Sequence, residues 1–80
     1  MFDRVIIKTN ERITDVIYKN NIARVGPRVK GITIETSADA YNIWPQCEVL
    51  FCKGQSCVKS IIFDETEKSV KEIIDFFAKM

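Results

Sequence analysis

Three cysteines lie five residues apart in the second half of the chain, and evenly spaced thiols can hold a metal ion or exchange disulfides. They are Cys47, Cys52 and Cys57. Five residues of strand separate Cys47 from Cys52 by about 16 Å and turn them to opposite faces. The three thiolates therefore cannot meet at one tetrahedral zinc ion, and the chain has no histidine to complete such a site. We expect no metal and no cofactor.

The turn between the last two cysteines predicts how they are arranged. Gly54 and Gln55 fit a two-residue type II′ hairpin turn, which places Cys52 opposite Cys57. A facing pair brings two Cα atoms to about 4.5 Å, within the range of a disulfide. An odd number of cysteines without an export signal favours reduced thiols, so we expect a bridge only under oxidation. In this register the core face comprises Cys47, Val49, Phe51, Val58, Ser60 and Ile62.

Alternation and turn residues predict the elements before this hairpin. Residues 4–9 and 29–37 read as strands, and in the second strand Ile32 and Ile34 share one face. A helix is predicted after Asn10, because Ile13, Val16 and Ile17 follow helical spacing, although the same stretch is rich in strand-forming residues. Gly26-Pro27 signals a turn that ends any preceding element. Residues 38–45 fit either one helical turn or an irregular loop.

The clearest periodicity belongs to a helix at the end of the chain. Val70, Ile73, Ile74 and Phe77 form an apolar stripe of helical period, and Asp64 with Glu67 resembles a capping box. Together the elements predict an α+β fold over residues 1–80. Its single-layer sheet, mixed or antiparallel, has about four strands with one or two helices on one face, in the order β-α-β-(short helix or loop)-β-β-α.

Composition limits the class of protein. The chain has 80 residues, of which 46% are hydrophobic and 29% are charged, and this mixture suits one small globular domain. Its apolar runs are far shorter than the roughly 20 residues of a membrane helix, and the first residues do not resemble a secretory signal. We therefore expect no membrane partner and a cytoplasmic location.

Catalysis is not predicted. The sequence has no histidine, no serine or cysteine beside an evident base, and no glycine-rich phosphate loop. The acidic cluster of Asp64, Glu65 and Glu67 is explained by its position at a helix start. We expect a protein that binds without turnover.

Two segments supply candidate contact residues. Tyr41 and Trp44 are large amphipathic side chains in the least regular segment, and Arg24, Arg28 and Lys30 form a basic run. Residues 1–30 carry seven Lys and Arg against three acids, whereas residues 31–80 carry five against eight. This asymmetry keeps open the alternative of an RNA- or DNA-binding domain that uses the basic half, with Tyr18, Tyr41 and Trp44 as stacking groups.

The predicted partner is another protein. Twelve isoleucines against one leucine is a ratio that packing does not require, and it indicates an AT-rich genome. On this basis we expect a small phage-type accessory protein, acting in the host cytoplasm, that binds and inhibits or modulates a host protein. A homodimer is a further alternative.

Overall fold

The computed structural model describes residues 1–9 and 14–80. Within these residues the chain forms two antiparallel sheets and one α-helix around a common core. The helix contributes buried Ile73 and Phe77, and the Phe77 ring lies 5.0 Å from that of Phe51. The elements are β1 (Arg4–Lys8), β2 (Thr14–Tyr18), a 3-10 helix (Lys19–Asn21), β3 (Ile22–Pro27), β4 (Ile32–Thr36), β5 (Ala40–Ile43), β6 (Glu48–Lys53), β7 (Ser56–Ile62) and α1 (Glu67–Ala78).

Each sheet buries one face. The four-stranded sheet has the order β2-β1-β6-β7, and its inner face carries Val5 opposite Phe51, both fully buried. The three-stranded sheet has the order β3-β4-β5, and Ile32 and Ile34 of its central strand are fully buried, as their alternation predicts. The strands predicted over residues 4–9 and 29–37 are thus confirmed, with shorter bounds.

The predicted layout of one four-stranded sheet with a β-α-β start is wrong, and the first reason is β2. A helix would place Val16 and Ile17 on one face, but they point to opposite faces of a strand, with Val16 40% exposed and Ile17 2% exposed. Ile17 pairs with Val5 across an antiparallel ladder. Pairing of a β-branched segment with β1 outweighs its weak helical spacing. Asn10 and Ile13 lie outside the described residues.

The second reason is β5, which occupies part of the segment expected to be a loop or helical turn. Thr36 reverses the chain before it: the Thr36 hydroxyl accepts a hydrogen bond from the Asp39 amide at 2.9 Å. The reversal lets residues 40–43 pair with β4, and Ile43 becomes fully buried. A local hydroxyl-to-backbone turn therefore creates a strand that alternation over four residues is too short to reveal. The predicted stop at Gly26-Pro27 falls within β3, which ends at Pro27.

The β6–β7 hairpin follows the predicted register only near its turn. Cys52 pairs with Cys57, and Gly54 has a φ of 58°, which suits the first central position of a type II′ turn. Val58 is then an extra residue in β7, so that Phe51 pairs with Lys59. Because side chains alternate with a period of two residues, the extra residue exchanges the inward-facing and outward-facing side chains in the rest of β7. The predicted core face is correct for β6 and wrong for β7.

The exchanged side-chain facing in β7 predicts that alanine substitution will affect two neighbouring isoleucines to different extents. Ile61 is 7% exposed, and Ile61→Ala should lower the free energy of unfolding by about 2 to 5 kcal/mol. Ile62 is 64% exposed, and Ile62→Ala should change it by about 0.5 kcal/mol or less. Urea denaturation of both variants measures the difference. Equal losses would contradict the bulged register.

The predicted C-terminal helix is confirmed, but its cap lies closer to the helix than expected. Thr66 is the N-cap, and its hydroxyl accepts a hydrogen bond from the Ser69 amide at 3.1 Å. Asp64 in turn accepts from the Thr66 hydroxyl at 2.7 Å and from the Thr66 amide at 3.1 Å. These hydrogen bonds, led by that of the Thr66 side chain, lower the pKa of Asp64. No helix among the described residues has the length and apolar character needed to cross a membrane.

The lowered pKa of Asp64 predicts part of the acid sensitivity of the fold. A carboxylate whose pKa is depressed in the folded state stabilises it above the unfolded pKa, here 3.8, and the contribution is lost as the pH falls through the folded value. Asp64→Asn retains a neutral acceptor, so this variant should lose less stability than the parent chain between neutral and strongly acidic pH. Urea denaturation across that range tests it, with Asp39→Asn as control. Parallel profiles for Asp64→Asn and the parent chain would contradict this role.

Candidate functional site

The outer face of the three-stranded sheet gathers most of the predicted contact residues. Val25 and Ile34 pair on its inner face, so the next pair, Arg24 and Glu35, points away from the core. Asn42 pairs with Thr33 on the same outer face. We call this face, together with Arg28 and Trp44 at its end, the polar face.

Arg28 and Trp44 form the most organised contact on the polar face. The Arg28 guanidinium carbon lies 5.3 Å from the centre of the Trp44 ring. One terminal nitrogen of Arg28 donates a hydrogen bond to the side-chain oxygen of Asn42 at 2.8 Å, and that oxygen also accepts from the Thr33 hydroxyl at 3.2 Å. Trp44 remains 45% exposed. The pair is therefore held in place while part of the indole faces solvent.

Arg24 is neutralised on the same face. Its guanidinium lies 2.6 Å from a carboxylate oxygen of Glu35, and both side chains are largely exposed. An exposed pair of this kind contributes little to stability, about 1 kcal/mol or less. Its main effect is to reduce the positive charge of the polar face.

The structure separates the other two predicted residues from this arrangement. Tyr41 pairs with Ile34 and packs half-buried against the core, on the inner side of the sheet. Lys30 is exposed in the β3–β4 turn, next to Val29, whose side chain is fully exposed. The structure therefore brings Arg24, Arg28 and Trp44 to one face, whereas Tyr41 points to the opposite side of the same sheet.

Two turns with left-handed residues hold Trp44 near the β3–β4 turn. Gly31 has a φ of 101°, and a side chain there would overlap the carbonyl oxygen of Ile43. After Trp44, the Cys47 amide donates to the Trp44 carbonyl at 3.1 Å, with Pro45 and Gln46 at the central positions. Gln46 has a φ of 74°, as the third residue of a type II turn requires. The close approach at Gly31 thus aligns Arg28 with Trp44.

Two glycines of the same region should respond differently to a methyl group. Gly31→Ala should lower the free energy of unfolding by about 2 kcal/mol or more, because both the backbone angle and the contact with Ile43 oppose a side chain. Gly26→Ala is the matched control, since no heavy atom beyond Gly26 and its two chain neighbours lies within 4 Å of the added methyl. Thermal unfolding followed by the fluorescence of the single tryptophan, Trp44, measures both. Equal melting temperatures for the two variants would contradict this role of Gly31.

The cysteines do not build a metal centre with the polar face. Cys52 and Cys57 form a disulfide across the β6–β7 hairpin, where the sequence favoured reduced thiols. The two residues are direct cross-strand partners, with their Cα atoms 3.9 Å apart, as the predicted facing register requires. Cys47 is buried in the core, as predicted. In residues 1–9 and 14–80 no group of three or more potential ligand side chains is placed to hold a metal ion.

Sequence reasoning missed a second exposed surface, the outer face of the four-stranded sheet. Ile6 pairs with Val16 on one side and with Leu50 on the other, and all three point away from the core. At one end of this face, Tyr18 is 53% exposed and lines the wall of a groove. The signal was present in the runs VII of β1 and VLF of β6, because unbroken apolar runs indicate strands with apolar side chains on both faces.

Comparison with known proteins assigns no family. No protein-family model, no curated protein and no solved structure matches the chain.

Proposed function

We propose that this chain is a non-catalytic binding protein that associates stoichiometrically with another protein through the polar face. The observation that carries the proposal is the Arg28–Trp44 pair. Tryptophan and arginine are the residue types that most often dominate binding energy at protein interfaces. Here the hydrogen bond from Arg28 to the Asn42 side-chain oxygen, 2.8 Å long, holds the guanidinium over the indole of Trp44. A partner would therefore lose little side-chain entropy when it contacts the pair.

The charges of the polar face favour a protein over a nucleic acid. Arg24 is paired with Glu35, and Arg28 covers part of the Trp44 ring that a base would stack upon. Of the three predicted basic residues, only Lys30 has neither an ion pair nor a ring contact with a described residue. Binding to nucleic acid draws its affinity mainly from free cations that replace counterions, and stacking platforms present open aromatic faces.

The proposal extends to the origin and the location of the chain. A phage origin, with a host protein as the partner and inhibition as the outcome, is supported by the isoleucine-to-leucine ratio alone. A cytoplasmic location can be tested through the Cys52–Cys57 disulfide, because disulfides persist mainly in oxidising compartments. Thiol trapping in intact cells would report whether this pair is reduced.

The proposal predicts that Trp44 dominates binding to a protein captured from a nuclease-treated lysate. Trp44→Ala should weaken binding of the purified partner by about 2 kcal/mol or more, since a tryptophan anchor often dominates the binding energy of an interface. Arg28→Lys should weaken it also, because lysine keeps the charge but lacks the planar contact with the ring. Isothermal titration calorimetry with the identified partner measures affinity and stoichiometry together.

Val58→Ala is the control, because Val58 is 60% exposed but lies on the other sheet and does not line the groove. This variant should bind the partner as the parent chain does. A nucleic acid as the true partner would reverse the pattern: Arg28→Lys would bind nearly normally, nuclease would abolish capture, and affinity would fall steeply with salt. Conversion of the partner by catalytic amounts of the chain would contradict a purely stoichiometric role.

A further inference from the structure

The outer face of the four-stranded sheet has an apolar centre that crosses most of its width. Val16, Ile6 and Leu50 are direct cross-strand neighbours on β2, β1 and β6, so their side chains form one continuous row. Val16 is 40% exposed, and Ile62, near the end of β7, is 64% exposed. Isolated apolar side chains are common on protein surfaces, but a contiguous apolar patch with a polar rim is typical of an interaction site.

A groove opens at the end of this row. Its volume is about 900 Å³, and its walls include Arg4, Tyr18, Lys19 and the hairpin turn at Gly54. Arg4 and Tyr18 pair across β1 and β2, two residues along their strands from the apolar Ile6–Val16 pair. Two residues of strand span about 6 to 7 Å, so the groove and the apolar row are within reach of one extended peptide.

The residues that line the groove include two cations, Arg4 and Lys19, and one carboxylate, Asp3. The Nε atom of Arg4 donates to the Gly54 carbonyl at 2.8 Å, while both carboxylate oxygens of Asp3 accept from the Gly54 amide at 3.1 Å. Asp3 is thus engaged by the turn, and its own carbonyl accepts from the Lys19 amide at 2.9 Å. No carboxylate in residues 1–9 or 14–80 forms an ion pair with Arg4 or Lys19. The two cations outnumber the one carboxylate, which is already hydrogen-bonded to the turn, so the charge of the groove favours an anionic group.

We propose that this surface binds an acidic, extended peptide segment of a partner protein. Apolar side chains of the segment lie over Ile6, Val16 and Leu50, and carboxylates within two residues of them contact Arg4 and Lys19. The concave groove favours a protruding segment over the flat sheet of a second copy. The site is independent of the polar face, which belongs to the other sheet.

Short synthetic peptides test this proposal directly. One set has leucine and valine at alternate positions and carries glutamate, serine or lysine at the positions between them. Titration of the isotope-labelled chain, followed by backbone amide chemical shifts, gives affinity and location together. We expect the glutamate peptide to bind most tightly and the lysine peptide least. The shifts should be confined to β1, β2, β6 and the turn at Gly54.

Matched variants separate the charged contribution from the apolar one. Lys19→Glu should weaken binding of the glutamate peptide about fivefold to tenfold, whereas Lys30→Glu, on the other sheet, should not. Val16→Thr replaces a methyl group by a hydroxyl of similar size and should also weaken binding, whereas Val29→Thr should not. Trp44→Ala should leave peptide binding unchanged, so this test is independent of the proposed role of the polar face.

Four results would overturn the proposal. The first is equal affinity for the three peptides, and the second is a set of shifts centred on Trp44. The third is displacement of the glutamate peptide by single-stranded oligodeoxythymidine, which would assign the groove to nucleic acid. The fourth is a concentration-dependent dimer that Val16→Thr abolishes in sedimentation experiments, which would assign the face to a second copy of the chain.

Discussion

The structure depends on the pairing of its first and sixth strands. β1 and β6 form the centre of the four-stranded sheet, where Val5 faces Phe51 and Ile7 faces Val49 with all four side chains buried. Their association brings together distant parts of the chain, and each strand then carries its own hairpin partner, β2 or β7, to an edge. The pairing is costly in loop entropy and is compensated by apolar burial against the other sheet and α1. Without it neither the core nor either outer face would exist.

The same pairing explains why the outer faces of the two sheets differ. In the four-stranded sheet the central strands are apolar at successive positions, so residues such as Ile6 and Leu50 remain outside once Val5 and Phe51 are buried. In the three-stranded sheet β4 alternates from Ile32 to Glu35, and its outward residues, Thr33 and Glu35, are polar. One surface is therefore suited to apolar contact with a charged rim, and the other to an arginine–tryptophan anchor among hydrogen-bonded polar groups.

Turns, more than strands, determine the geometry at both surfaces. Gly54 forms hydrogen bonds with Asp3 and Arg4, which lie near the start of the chain, and these hydrogen bonds position one wall of the groove. On the polar face the left-handed conformation of Gly31 permits the approach that puts Arg28 over Trp44. Such positions tolerate little change, because a side chain at Gly31 meets backbone atoms that cannot move independently of the sheet.

Local sequence was sufficient to predict β1, β4, the Cys52–Cys57 hairpin and α1, since each shows its periodicity or its turn residues within a short window. Arg24, Arg28 and Trp44 were predicted as contact residues from their types, but only the folded sheet placed them on one face. Strand pairing and register were decided by the tertiary structure, because a short sequence window does not show which strands will pair. Pairing with β1 made Thr14–Tyr18 a strand, and the Val58 bulge exchanged the positions of Ile61 and Ile62. The groove joins residues near the start of the chain, such as Arg4 and Lys19, to the distant turn at Gly54 and Gln55. These outcomes depend on backbone pairing between segments that are distant in sequence. The energy of such pairing cannot be read from either segment alone.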